Sequence, residues 1–160
     1  MNITLASNAG FCFGVNKAIE TIYGLIKNSD QKIYTLGPVI HNRQLNEELM
    51  RKGVEIIDDI ESASEPGYIV IRAHGITPEL FDKLQAKGHE PIDLTCPYVR
   101  KIQTLVREKH NEGYNIIIIG DKNHPEVIGI NGWSSNSAYI VNSAEDVDAI
   151  PDKDSKMCVV

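Results

Sequence analysis

An internal repeat of about 84 residues constrains this chain more than any other feature. Cys12, Val15 and Lys17 recur as Cys96, Val99 and Lys101, the pattern CxxVxK displaced by 84 positions. Gly37 and His41 recur as Gly120 and His124, the pattern GxxxH displaced by 83, each time directly after a strand-like run, IYTLG and NIIIIG. VEIID at 54 lines up with AYIVN at 138. Three features in one order at nearly one offset point to two copies of one supersecondary unit rather than a single irregular domain.

Within each copy, strand and helix signals alternate. The pattern predicts strands over Ile3–Ala6, Lys32–Leu36 and Val54–Asp58, and helices over Val15–Lys27 and over Asn42–Lys52, the latter closed by Gly53. Tyr68–Ala73 is apolar without alternation, as expected of a strand buried on both faces. Thr77–Ala86 reads as a helix with Pro78 in its first turn and Gly88 beyond its end. This order implies an α/β fold of repeated units with small parallel sheets. The expected bounds are 13–96 for the first unit and 97–160 for the second. In the first unit the strand YIVIR leads on to Cys96, whereas its counterpart, MCVV, closes the sequence. A third CxxVxK-like start is therefore expected roughly 25 residues past Val160.

Composition narrows the partners. With 160 residues, 42% of them apolar and 24% charged, the chain can bury a core and is too hydrophobic for intrinsic disorder. Its 16 Lys and Arg against 22 Asp and Glu give a net charge of −6, with no basic half, tail or stripe. That argues against a nucleic-acid duplex as the main partner, because duplex affinity comes from clustered cations. The longest aliphatic run, Ile116 to Ile119, is far short of a membrane span, and MNITLASNAG lacks the basic and apolar blocks of a signal peptide. A cytoplasmic location is the default expectation. Three cysteines is an odd count, which suits reduced thiols available for metal, redox chemistry or burial.

Cys12, in GFCFGV, and Cys96, in DLTCPYV, each stand where a helix begins. The positive end of a helix favours thiolate, the form that ligates iron or attacks electrophiles. Their equivalence in the repeat suits two ligands converging on one centre. Cys158 lies inside the apolar strand MCVV and reads as a buried structural residue. His41 (GPVIHN), His74 (RAHG) and His124 (KNHPE) each follow a strand end, where ligands collect in open α/β sheets and helix amides face anions. Three such histidines suit a diphosphate or a metal. His89, in a GHEP turn, and His110, on a polar helix face, read as surface residues. Glu126, two residues past His124, either complements a helix N-terminus or relays protons beside the ligand site.

Together, GFCFGVNKAI, LGPVIHNRQLNEEL, RAHG, DLTCPYVRK and GDKNHPEVIGINGW resemble the N-terminal half of the 4-hydroxy-3-methylbut-2-enyl diphosphate reductases, which catalyse the last step of the non-mevalonate isoprenoid pathway. The resemblance implies a trefoil of three α/β units around a [4Fe-4S] cluster held by one cysteine from each. Cys12 and Cys96 match the first two ligands, and the third is expected beyond residue 160. It implies reductive dehydroxylation of the substrate to isopentenyl and dimethylallyl diphosphate, with electrons from a one-electron donor protein such as ferredoxin or flavodoxin. His41, His74 and His124 match the diphosphate-binding histidines, and Glu126 the proton-delivering acid. Residues 1–12 would pack with the third unit, leaving Ile3–Ala6 without its partner here and the separate chain less stable or more oligomeric, and on its own inactive. Three other readings compete with this one. They are an anion-binding module with inert cysteines, a zinc protein, for which no CxxC pair exists, and a dinucleotide-binding enzyme, for which no GxGxxG turn exists.

Overall fold

The computed structural model describes residues 2–7, 9–151 and 154–160. In chain order its elements are α1 (Phe13–Asn28), β1 (Lys32–Leu36), α2 (Arg43–Arg51), β2 (Val54–Ile57), β3 (Gly67–Ile71), α3 (Pro78–Ala86) and β4 (Glu90–Asp93). They continue with α4 (Pro97–Asn111), β5 (Asn115–Ile119), α5 (Pro125–Gly132), β6 (Tyr139–Val141) and β7 (Met157–Val159), with 3-10 turns at Ile60–Ser62 and Glu145–Ala149.

Two parallel sheets result, one of four strands in the order β2-β1-β3-β4 and one of three in the order β6-β5-β7. The order is the same in both, with β5 standing where β1 stands, β6 where β2 stands and β7 where β3 stands. In the first sheet Ile33 faces Val54 and Tyr68. In the second Ile117 faces Tyr139 and Val159. The GxxxH, VEIID/AYIVN and YIVIR/MCVV correspondences are thus a repeat of structure.

Local chemistry sets the element boundaries. Asn42 and Thr77 cap α2 and α3 by accepting the amides of Leu45 and Leu80, and Pro78, Pro97 and Pro125 open α3, α4 and α5 where an amide proton would have no partner. The first sheet is covered on both faces. Tyr34, Leu36, Ile69 and Ile71 pack with Leu84 of α3 on one side, while Ile33, Val54 and Val70 pack with Ile22 and Leu49 on the other. This double cover explains why β3 shows no alternation. In the second sheet Ile116, Ile118 and half-buried Cys158 pack with Val106, Val127 and Ile130 from α4 and α5, so Cys158 has the structural setting expected of it.

The two sheets meet through α5. Cβ atoms added at Gly129 and Gly132 would lie 3.4 Å from the His74 carbonyl and 2.5 Å from Thr77 Cβ, so the helix backbone lies directly against the loop that follows β3. Trp133, next in the chain, donates its indole N–H to the Ile76 carbonyl at 3.3 Å.

Three expectations need correction. Ile3–Ala6 forms no ladder, and Ile3 and Leu5 stand 80% and 84% exposed, because no neighbouring strand offers them partners among the described residues. His89 is buried, not superficial. After the left-handed Gly88 the chain turns inward, His89 N–H donates to the Leu84 carbonyl, and the ring sits edge-on to Tyr34 at 6.2 Å. His110 is half-buried, its Nδ1 3.5 Å from Ser137 Oγ.

Candidate functional site

Three loops at the carboxyl ends of β1, β3 and β5 bring His41, His74 and His124 together. His41 and His74 ring centroids are 6.5 Å apart, and His74 and His124 meet edge-on at 5.4 Å. Each loop is shaped by its neighbours. Gly37, at φ +72, donates its amide to the Ile57 carbonyl and turns the chain after β1. The Ile40 carbonyl accepts both the Asn42 amide and the Asn46 side chain at 2.8 Å, anchoring the residue before His41. Gly75, at φ +73, donates to the Arg72 carbonyl and closes a tight turn around His74.

His124 is the cap of α5, and its Nδ1 accepts the Glu126 amide at 3.2 Å. That bond leaves Nε2 to carry the ring proton of the neutral imidazole. His41 and His124 are exposed, whereas His74 is half-buried and its Nδ1 is buried with no hydrogen-bond partner. Burial is the main cause that pushes the His74 ring below its ordinary value near 6.5, and Arg72, His124 and His41 act in the same direction. Glu126 is half-buried and shares with His124 a cavity of about 320 Å³ at the mouth of β5.

The cysteines stand at two helix starts. Cys12 caps α1 and Cys96 caps α4, neither side chain making a capping bond, and both are free thiols. Cys96 donates its amide to the Ala73 carbonyl at 2.9 Å, which ties the start of α4 to the residue before His74. The starts of α1 and α4 are neighbours. Phe13 and Tyr98 meet edge-on at 6.3 Å, and a cavity of about 230 Å³ lies between Phe13, Lys17, Thr95 and Pro97. Asp93, just before Cys96, is ionised readily. Burial opposes this, but hydrogen bonds from Thr95 and the Arg100 guanidinium at 2.6 Å outweigh it and hold the carboxyl low.

The set of donors suits a soft metal at the thiols and an anion at the imidazoles. Among the described residues no three His, Cys, Asp or Glu groups stand close enough to hold a metal ion, so the two thiols can supply only part of a ligand set. Sequence reasoning missed Arg72, whose guanidinium lies over Gly37, 2.7 Å from where a Cβ would stand there. The signal was a single cation ending the otherwise apolar run YIVIR.

Imidazoles gathered at the carboxyl ends of parallel strands, tied to the helix start at Cys96, define an α/β protein whose donor chemistry suits a small anion and a soft metal. The sequence matches the LytB protein family over residues 3–160, and the chain belongs to that family. It is 49% identical to the 4-hydroxy-3-methylbut-2-enyl diphosphate reductase of Thermoanaerobacter sp. (strain X514), with all of this chain and 56% of that protein covered. Identity is 42% to the same-named protein of Clostridioides difficile (strain 630), with 58% of it covered. The solved reductase from Plasmodium falciparum superposes with a TM-score of 0.90 at 34% identity over 96% of this chain and 49% of that one. A second solved (E)-4-hydroxy-3-methyl-but-2-enyl diphosphate reductase, described as the terminal enzyme of the non-mevalonate pathway, gives a TM-score of 0.78 at 42% identity over 92% and 53%. The chain spans about half the length of the curated relatives it matches. No helix among the described residues is long and apolar enough to cross a membrane.

Proposed function

We propose that this chain supplies the diphosphate-binding half of a 4-hydroxy-3-methylbut-2-enyl diphosphate reductase, together with two of the three cysteine ligands of its [4Fe-4S] cluster. The observation that carries the proposal is the hydrogen bond from Cys96 to Ala73, because it joins a candidate iron ligand to the loop of the central histidine. His41, His74 and His124 bind the diphosphate. The neutral His74 ring and the Nε2 of His124 donate hydrogen bonds to it, and an arriving anion favours protonation of the His74 ring. Glu126, on the first turn of α5, delivers a proton towards the departing hydroxyl. When bound, a cluster held in part by Cys12 and Cys96 would supply electrons one at a time to the reduction. Loss of that hydroxyl as water consumes two electrons and two protons and yields isopentenyl or dimethylallyl diphosphate. A ferredoxin- or flavodoxin-type carrier supplies the electrons. The third thiolate, and the surface that covers exposed Ile3, Leu5 and Phe11, come from a third α/β unit.

Iron and sulfide content and the electron paramagnetic resonance spectrum, after anaerobic reconstitution, test this on the present chain and on one extended past the third cysteine. A [4Fe-4S] signal in the extended chain that is lost on Cys12→Ser or Cys96→Ser supports the reductase. Pyrophosphate binding without iron uptake in either chain would replace it with an anion-binding module.

A further inference from the structure

Behind the histidine loops lies a second cavity, of about 260 Å³, that the proposed reaction does not use. None of the three imidazoles lines it, although Gly75 and Pro125, the neighbours of His74 and His124, do. Leu36, Ile76, Leu80 and Ile128 form an apolar wall of it, and Arg72, Asp58 and Thr77 supply its polar side. No hydrogen bond or ion pair joins the Arg72 guanidinium to another described residue. Asp58 lines the same cavity and attracts Arg72 electrostatically, but the two are not within ion-pair distance. Burial pushes the guanidinium below its ordinary value, although an arginine stays charged at any physiological pH. The five N–H donors of this half-buried cation have no partner among the described residues and are open to an anion.

We infer that this cavity binds a small amphiphilic oxyanion, its head on the Arg72 fork and a short hydrocarbon tail against Leu36, Ile76, Leu80 and Ile128. The guanidinium fork matches a phosphate or a carboxylate in two parallel hydrogen bonds, and the four apolar side chains give a hydrocarbon tail a surface to bury against. Gly37 lines the cavity too, with the Arg72 guanidinium lying close over its Cα.

Titration of the chain with isopentyl phosphate, 4-methylvalerate and inorganic phosphate, followed by calorimetry, tests the inference. Isopentyl phosphate should bind about tenfold or more tightly than inorganic phosphate, because only the ester buries a hydrocarbon. Arg72→Met should weaken it about tenfold or more through loss of the paired, charge-assisted bonds. Ile128 is 49% exposed and accepts a larger side chain, so Ile128→Trp should fill the cavity and abolish binding even if Arg72→Met fails to fold. His41→Ala separates the two sites. It should weaken pyrophosphate at the histidines and leave isopentyl phosphate unchanged, whereas Arg72→Met should do the reverse. Binding of 4-methylvalerate alone would assign the site to carboxylates, and binding of the ester alone to phosphates. Equal affinity for isopentyl and inorganic phosphate with no binding of 4-methylvalerate, or unchanged binding of the bound amphiphile in both cavity variants, would overturn the inference.

Discussion

Gly132→Ala sets two effects of opposite sign against each other at the joint between the sheets. Gly132 is the last residue of α5, and alanine there should gain up to about 1 kcal/mol of helix propensity. The new Cβ, however, would stand 2.5 Å from both Cβ and Cγ2 of Thr77 and 3.2 Å from its Cα. Thr77 cannot swing away, because its Oγ1 caps α3 through the Leu80 amide. The helix must therefore back off from the loop after β3, and overpacking of this kind costs about 1–3 kcal/mol. The clash outweighs the propensity, and a net loss of about 1–2 kcal/mol is expected. For a chain of this size that is a fall in Tm of roughly 2–8 °C. Urea and thermal unfolding followed by the fluorescence of Trp133, the chain's single tryptophan and the next residue, report the joint directly. A Gly132→Ala variant as stable as the parent, or more stable, would refute the claim that backbone contact with Thr77 holds α5 in place.

Other expectations follow from the same geometry. Because burial and neighbouring cations depress the His74 ring, stability is full above its ordinary value near 6.5 and is lost as pH falls through the lowered value; His74→Asn should flatten urea stability measured from pH 7.5 to 5. Pyrophosphate binding should take up protons near neutrality, so calorimetric heats in two buffers of different ionisation enthalpy should differ by more than in the His74→Asn variant. Asn42→Ala removes the cap of α2 beside His41 and should cost about 1 kcal/mol in denaturant unfolding. Leu84→Ala, at a side chain with no exposure between Tyr34 and Ile71, should cost about 2–5 kcal/mol by the same measurement.

The periodic part of this protein is legible in its sequence. Amphipathic and apolar runs, caps and terminating glycines are encoded within a few residues of where they act, so β1, β3, α3 and the helix starts at Cys12 and Cys96 could be read directly. So could the three strand-end histidines, because His41 and His124 repeat one motif, GxxxH, after β1 and β5, and His74 follows the end of β3. Whatever depends on distant neighbours had to wait for the assembled fold. Ile3–Ala6 carries a strand's composition but forms none, since a strand exists only where another offers its hydrogen bonds. His89 has a turn's sequence, yet the direction of the chain after Gly88 puts its ring under Tyr34. The close approach of α5 to the loop after β3, which sets His124 against His74, is written in Gly129 and Gly132, and a glycine's meaning is read only from what lies against it. The setting of Arg72 likewise becomes visible only once the fold has half-buried its guanidinium in a cavity it shares with Asp58, beyond ion-pair distance.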